Sequence, residues 1–232
     1  MRPFRFLSFA CAALILVGAS SLSLAQTKNA AKAAPGEPRA GATHVYLLRG
    51  LFNVFSTGMD DLAAKLNRRG VRASVYNHTE HPGLVAAIAA RHRAGRGERV
   101  VIVGHSLGAN DAVRMAAMLG EHKINVPLVI TYDPTATMLV SGNVSRVVNF
   151  YQSNNGWGAR VAPGRGFHGS LSNIDLARDP DLGHVSIDKS NKLHMQSIGY
   201  IGGGRAAAPP ASTPSTATTQ TPASSAEKRS AQ

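Results

Sequence analysis

Short apolar runs alternate with amphipathic stretches along the middle of the chain, from about residue 42 to residue 204. Uninterrupted apolar runs are typical of strands buried on both faces of a parallel sheet, and apolar residues three and four apart are typical of helices. The predicted strands cover residues 45–48, 71–76, 100–103, 128–132, 144–151 and 171–176. The predicted helices cover residues 59–69, 82–95, 107–119 and 191–200. This alternation predicts a single compact α/β domain, with a mostly parallel sheet of about six strands and helices on both faces.

A glycine-flanked serine lies between one predicted strand and the helix that follows it. The run is Gly104-His105-Ser106-Leu107-Gly108. In a strand–turn–helix with this pattern the serine sits on a strained turn, and the small flanking residues let strand and helix pack closely. The hydroxyl then lies at the carboxyl edge of the sheet and at the amino end of a helix, whose dipole favours negative charge. We interpret Ser106 as a nucleophile.

A serine nucleophile requires a histidine base, and His184 is the first candidate. It lies between the last predicted strand and the closing helix, downstream of the serine. Two alternatives remain on sequence grounds. His168 lies in a glycine-rich segment, and His194 lies within the closing helix.

The carboxylate that would orient the base is expected at Asp133. This residue directly follows strand 128–132, and Pro134 ends the strand there. The next strand exits into Gln-Ser-Asn-Asn at 152–155 and offers no carboxylate. Asp179 and Asp181 are the alternatives, because they lie close to the candidate histidine in sequence.

Together these motifs resemble the lipase and thioesterase branch of the α/β-hydrolase superfamily, over about residues 44–200. Leu48-Arg49-Gly50-Leu51-Phe52 is similar to the motif that ends the first strand in that branch. The resemblance implies an α/β-hydrolase domain that cleaves carboxylic esters, or thioesters, through an acyl-serine. It also implies an oxyanion hole formed by the backbone N–H groups of Leu51 and Leu107, and no cofactor. An Asp-Pro like that at Asp133 is similar to one in pancreatic-type lipases.

One position departs from that family, and one segment bears on the substrate. The family's histidine before the glycine is replaced by Arg49, which we expect either to be structural or to bind an anionic group of the substrate. About ten residues separate Asp133 from the next predicted strand, too few for a helical lid, so we predict no substantial lid. The segment 153–170 is either a flexible wall of the substrate site, with Trp157 and Phe167 in contact with substrate, or an ordinary long loop.

Both ends of the chain lie outside the predicted domain. Residues 1–25 have the charged start, apolar core and small-residue end of a signal peptide, with cleavage expected after Ala25. Residues 26–41 read as a linker, and residues 205–232 as a disordered low-complexity tail. No later segment is long and apolar enough to span a bilayer, so we expect a periplasmic or secreted protein with no transmembrane segment after cleavage.

The charge of the chain bears on its partners. Its formal value of +12 falls to +10 without Arg2 and Arg5 of the leader, which predicts loose contact with an anionic envelope surface. The basic residues are scattered without interleaved aromatics, so we expect no nucleic-acid partner. His78 and His81 lack a third ligand, so we expect no metal. The alternative function is a non-catalytic envelope-binding protein that retains the hydrolase scaffold, and the intact motif around Ser106 argues against it.

Overall fold

Six parallel strands form the central sheet of the computed structural model, which describes residues 41–51 and 56–203. The strands in chain order are β1 (Thr43–Arg49), β2 (Arg72–Asn77), β3 (Arg99–His105), β4 (Leu128–Tyr132), β5 (Met138–Val140), β6 (Arg146–Tyr151), β7 (Val161–Pro163) and β8 (Ser170–Asp175). The sheet order is β2-β1-β3-β4-β6-β8, and every neighbouring pair is parallel. The predicted signal peptide, the linker up to residue 40 and the tail lie outside the described residues.

Helices cover both faces of this sheet, as predicted. They are α1 (Gly58–Arg68), α2 (His81–Arg93), α3 (Leu107–Glu121) and α4 (Asn191–Ile201), with short 3₁₀ turns at His78–Glu80 and Ile187–Lys189. Successive residues of a strand point to opposite faces, and this divides the core into two clusters. Apolar residues of α1 and α4 pack with one cluster, and those of α2 and α3 pack with the other.

The strand order creates a crevice between β1 and β3. From β1 the chain passes to the edge strand β2 and then returns to β3 on the other side of β1. Where the direction of winding reverses in this way, the loops at the carboxyl ends of the two strands diverge and leave room for a ligand. Gly50 directly follows β1 and Ser106 directly follows β3, so both lie at this crevice.

A small second sheet was not predicted. The strands β5 and β7 pair in parallel, from Met138 with Val161 to Val140 with Pro163. Each has only three residues, which is too short for a period to be recognised, and Val140 and Val161 are buried in the core cluster beneath α3. Residues 153–170 are therefore not a loop throughout. Between Asp133 and Arg146 the described chain forms β5 and no helix, in line with the expected lack of a helical lid.

The helices of the described residues are also informative about membranes. None of them is both long enough and apolar enough to cross a bilayer.

Candidate active site

Ser106 sits on a strained turn between β3 and α3. Its backbone has φ 58° and ψ −125°, a combination that costs a non-glycine residue free energy and persists only where the surroundings enforce it. The two flanking glycines explain how it is enforced. A Cβ atom on Gly104 would lie 2.1 Å from the carbonyl oxygen of Gly108, and one on Gly108 would lie 2.3 Å from that of Leu48. Strand and helix thus approach too closely for any side chain at these positions.

The three residues named from the sequence lie in one hydrogen-bonded series. Ser106 Oγ is 2.9 Å from His184 Nε2, and His184 Nδ1 is 2.7 Å from Asp133 Oδ2. The Asp133 carboxylate is fully buried and can only accept when ionised, so it holds the imidazole as the Nδ1–H tautomer. His184 Nε2 is then an acceptor that faces the serine hydroxyl.

Asp133 is held by groups from the exit of the neighbouring strand β6. Its Oδ1 accepts from the backbone N–H of Gln152 at 2.9 Å, and its Oδ2 accepts from Asn155 Nδ2 at 2.7 Å. These donors satisfy the oxygen atoms of the buried carboxylate and fix its orientation. Gln152 and Asn155 were not predicted as site residues, because neither carries the carboxylate expected after a strand. The signal that could have found them is the adjacency of β4 and β6 in the sheet.

Trp157 forms a wall beside the imidazole. Its ring stacks on that of His184, with centroids 5.1 Å apart and an angle of 22° between the planes. The Oδ1 atom of Asn155 accepts from the backbone N–H groups of Trp157 and Gly158, both at 2.8 Å. One amide side chain therefore fixes the loop that carries the tryptophan and also contacts Asp133. Trp157 is 60% exposed, so its side chain is available to a ligand.

A cleft of about 310 Å³ opens above Ser106. Exposed apolar side chains of Leu51, Trp157 and Val185 contribute to its surface. The N–H of Leu107 is the first of helix α3 and so has no intrahelical acceptor. The described residues that line the cleft are Leu51, Ser56, His105, Ser106, Leu107, Thr135, Trp157, His184 and Val185.

The alternative histidines lie elsewhere. His168 is two residues before β8 and therefore at the amino edge of the sheet, opposite the carboxyl edge where Ser106 lies. His194 is buried in α4, where Nδ1 accepts from Lys65 Nζ at 2.8 Å and Nε2 donates to the carbonyl of Asp188 at 2.5 Å. Burial lowers the pKa of His194, in keeping with a neutral core residue.

Asp179, one of the two alternative carboxylates, has other partners. Asp179 accepts from the backbone N–H of Asp181 at 3.3 Å and lies 4.0 Å from Lys192 Nζ. The Nδ1 atom of His184 donates to Asp133 instead.

Two residues expected at the substrate do not line the cleft. Phe167 packs against the core cluster on the α2 and α3 side, because the turn that carries it leads into the amino end of β8. Arg49 donates through Nε to Asp60 Oδ2 at 3.0 Å, and its Nη2 atom also pairs with this carboxylate. The guanidinium expected to bind an anionic substrate group thus has a partner in the first turn of α1.

The side chains of His78 and His81 both form hydrogen bonds within the protein. His78 Nδ1 is 2.7 Å from Asp111 Oδ2, and His81 Nδ1 donates to the carbonyl of His78 at 2.7 Å. Across the described ranges, no group of three or more His, Cys, Asp or Glu side chains is arranged to hold a metal ion.

Comparison with known proteins gives structural neighbours only. No protein-family model matches the sequence, and no curated protein matches it. The chain is similar to a protein from Xanthomonas campestris pv. campestris that is assigned to the α/β superfamily of hydrolases. The identity is 18%, the TM-score is 0.38, and the match covers 68% of this chain and 94% of that one.

A second similar structure comes from work on LipS and LipT, two metagenome-derived lipolytic enzymes. The identity is 13%, the TM-score is 0.45, and the match covers 71% of this chain and 96% of that one. At these identities and TM-scores neither similarity carries an argument about the family or the substrate of this chain.

Proposed function

We propose that this chain is a serine hydrolase that cleaves carboxylic esters through an acyl-serine intermediate. The observation that carries the proposal is the hydrogen-bonded series from Ser106 through His184 to Asp133, with distances of 2.9 and 2.7 Å. A serine hydroxyl is a weak nucleophile until a base removes its proton, and an imidazole held by a buried carboxylate is suited to that task. The strained backbone at Ser106 supports the same function, because strain of this kind concentrates at functional sites.

The reaction follows from the roles of these groups. His184 Nε2 accepts the proton of Ser106 as Oγ attacks the ester carbonyl carbon, and Asp133 stabilises the imidazolium that results. The oxygen that becomes negative accepts hydrogen bonds from the backbone N–H groups of Leu51 and Leu107. The imidazolium then donates its proton to the departing alkoxide, which leaves as the alcohol. Water, deprotonated by His184, attacks the acyl-serine. The imidazolium then returns this proton to Ser106 Oγ as the bond between Oγ and the acyl carbon breaks, and the carboxylic acid is released.

The apolar cleft favours esters with an apolar group next to the scissile bond. Its surface carries exposed parts of Leu51, Trp157 and Val185, which gain favourable free energy when a ligand covers them. Thioesters have the same reacting geometry, and a comparison of matched p-nitrophenyl esters and acyl thioesters distinguishes the two substrates. A clear preference for the thioester would replace the ester assignment.

Labelling with a fluorophosphonate probe tests the proposal directly, because such probes react with activated serines. We expect the wild-type protein to be labelled and Ser106→Ala to be unlabelled. The matched control is Ser145→Ala, an exposed serine just before β6, at the amino edge of the sheet. An unlabelled wild-type protein would overturn the enzymatic proposal and favour a non-catalytic envelope-binding protein.

The acid is tested by a pair of isosteric variants. We expect Asp133→Asn to lower kcat by about 10³- to 10⁴-fold, because the amide cannot hold the required tautomer of His184. Asp181→Asn is the matched control, since this residue is exposed and lies in the same loop as the histidine. A larger loss in Asp181→Asn than in Asp133→Asn would contradict the assignment of Asp133 as the acid.

We also propose that the protein is exported and loosely attached to an anionic surface. The support is the leader-like sequence at residues 1–25 and the charge of +10 that remains when +12 is reduced by Arg2 and Arg5 of the leader. After expression of the full chain in a bacterium, we expect the extracytoplasmic fraction to contain a protein that begins at Gln26. A protein that keeps its leader and stays in the cytoplasm would contradict export. Failure to sediment with anionic vesicles at low salt would contradict attachment.

A further inference from the structure

A buried series of hydrogen bonds runs behind the nucleophile and connects two loops. The backbone N–H of Gly50 donates to Ser56 Oγ at 2.9 Å, and Ser56 Oγ is 2.8 Å from His105 Nδ1. On the other side of the ring, His105 Nε2 is 2.8 Å from the carbonyl oxygen of His184. Both linking side chains are almost completely buried, at 1% exposed each.

The direction of each hydrogen bond follows from the chemistry of its ends. The carbonyl of His184 can only accept, so the His105 ring carries its proton on Nε2. Burial lowers the pKa of His105 to about 4, so the ring is neutral at physiological pH and Nδ1 is an acceptor. The hydroxyl of Ser56 must then donate to Nδ1, which leaves its oxygen to accept from the N–H of Gly50. Only this arrangement of protons gives every polar group of the buried series a hydrogen-bond partner.

We propose that Ser56 and His105 are positioning residues, which hold the oxyanion-binding backbone at Leu51 in register with the base His184. The inference rests on the proposed hydrolase function and deepens it. Neither residue carries out chemistry: Ser56 fixes the peptide of Gly50, and His105 fixes the backbone of the histidine loop. Removing the central ring should disturb both halves of the reaction.

The surroundings show that the two loops must stay close. A Cβ atom on Gly50 would lie 2.9 Å from Ser106 Cβ, so the backbone before Leu51 passes directly against the nucleophile. Gly58 N, at the start of α1, donates to Asp188 Oδ2 at 3.0 Å, and a Cβ on Gly58 would lie 1.9 Å from the carbonyl oxygen of Asp188. The start of α1 at Gly58 and the backbone at Asp188 are therefore packed against each other. The hydrogen-bonded ring of His105 sets their spacing on the side of the serine.

Burial gives these bonds their effect on rate. A lost hydrogen bond at a 1% exposed group is not replaced by water, so the freed partner is left unsatisfied or the loop moves. A displacement of about 1 Å at reacting groups costs about 100-fold in rate. We therefore expect losses of about 10- to 100-fold from changes that leave Ser106, Asp133 and His184 intact.

Two substitutions at His105 separate the two connections. In His105→Asn the amide group lies near the position of Nδ1 and can still accept from Ser56, but it cannot reach the carbonyl of His184. In His105→Gln the amide nitrogen lies near the position of Nε2 and can still donate to His184, but the acceptor for Ser56 is lost. The matched controls are His122→Asn and His122→Gln, at an exposed histidine that follows α3.

Each connection has its own assay. Poor alkoxide leaving groups need a proton from His184, whereas p-nitrophenolate does not, so loss of the His184 connection lowers rates on alkyl esters more than on p-nitrophenyl esters. Loss of the Ser56 connection weakens the oxyanion hole, so the rates on both ester types fall by the same factor. An alkyl boronic acid forms a tetrahedral adduct with the serine, so its affinity falls in parallel. We expect the first pattern in His105→Asn and the second in His105→Gln, in kcat rather than KM.

The outcomes separate this inference from the proposed function. A wild-type protein without esterase activity overturns both. An active wild-type protein whose two His105 variants keep wild-type rates, or lose both properties to the same extent, overturns the inference alone. If the His105 variants do not fold by circular dichroism, Ser56→Ala and Ser56→Thr replace them. We then expect the oxyanion pattern in the alanine variant and its partial rescue in the threonine variant, and equal rates in the two would refute the inference.

Discussion

The glycine at position 158 offers a sharp test of the site, because its missing side chain leaves room for the buried acid. A Cβ atom built there would lie 2.1 Å from Asp133 Oδ1 and 2.5 Å from the carbonyl oxygen of Gln152. Carbon and oxygen atoms in ordinary contact are at least 3.4 Å apart. Gly158→Ala therefore forces either the carboxylate or the loop to move by about 1 Å. The added group is a single methyl with no charge.

Either movement reaches His184. If Asp133 shifts, its 2.7 Å hydrogen bond to the imidazole is lengthened and the tautomer is less well held. If the loop shifts instead, Asn155 leaves the carboxylate and Trp157 leaves the imidazole ring. A misplacement of about 1 Å at reacting groups costs about 100-fold in rate, which corresponds to about 2.7 kcal/mol of transition-state stabilisation.

The assay is kcat/KM on a short-chain p-nitrophenyl ester, with thermal unfolding measured in parallel. The control is Gly83→Ala in α2, where an added Cβ would meet nothing within 4 Å and alanine favours the helix. We expect the control to keep wild-type activity and Gly158→Ala to fold but lose about 100-fold. A folded Gly158→Ala with wild-type kcat/KM would refute the reasoning, because it would show that catalysis does not depend on this arrangement around Asp133.

Two further changes test other parts of the molecule. Asn155→Ala removes a donor to Asp133 and the acceptor for the Trp157 N–H, so we expect kcat/KM on esters to fall by about 10- to 100-fold. The neighbouring Asn154→Ala is the control, and equal rates in the two variants would contradict this role. His44→Phe removes a buried imidazole whose pKa burial lowers to about 4. Because the unfolded chain binds that proton first, the wild-type protein should lose up to about 3 kcal/mol of stability as the pH falls from about 6.5 to 4. Urea unfolding should show a smaller loss in the variant, and the same loss in both proteins would exclude His44 as a cause.

The centre of the fold was predictable because its signals are local. The apolar run of β3, the glycines around Ser106 and the amphipathic α3 follow one another directly, and Gly104 is required by the carbonyl of Gly108 only four positions later. The predicted bounds of the longer strands and helices lie within two or three residues of those observed. His184 and Asp133 could be placed because a parallel sheet brings the ends of its strands to one edge.

The supporting contacts could not be predicted in the same way. Asn155 and Asp133 are 22 positions apart, and they meet only because β6 lies beside β4. The partner of His105 is similarly remote, since its Nε2 atom reaches a carbonyl 79 positions further along the chain. The residues around such an amide or imidazole in the sequence do not indicate its hydrogen-bond partner. Arg49 is the opposite case, because its charge looked available in the sequence but pairs with Asp60 in the first turn of α1.

The ends of β4 and β6 contribute different groups to the site that orients His184. Asp133, after β4, supplies the only charge of the pair, at a fully buried position. The exit of β6 supplies neutral donors, through the N–H of Gln152 and the amide of Asn155. A second carboxylate at that exit would lie within about 3 Å of the first, where like charges repel strongly in a buried site. The absence of an acid after β6, which looked like a gap in the sequence, therefore leaves hydrogen-bond donors rather than a like charge beside the carboxylate that faces His184.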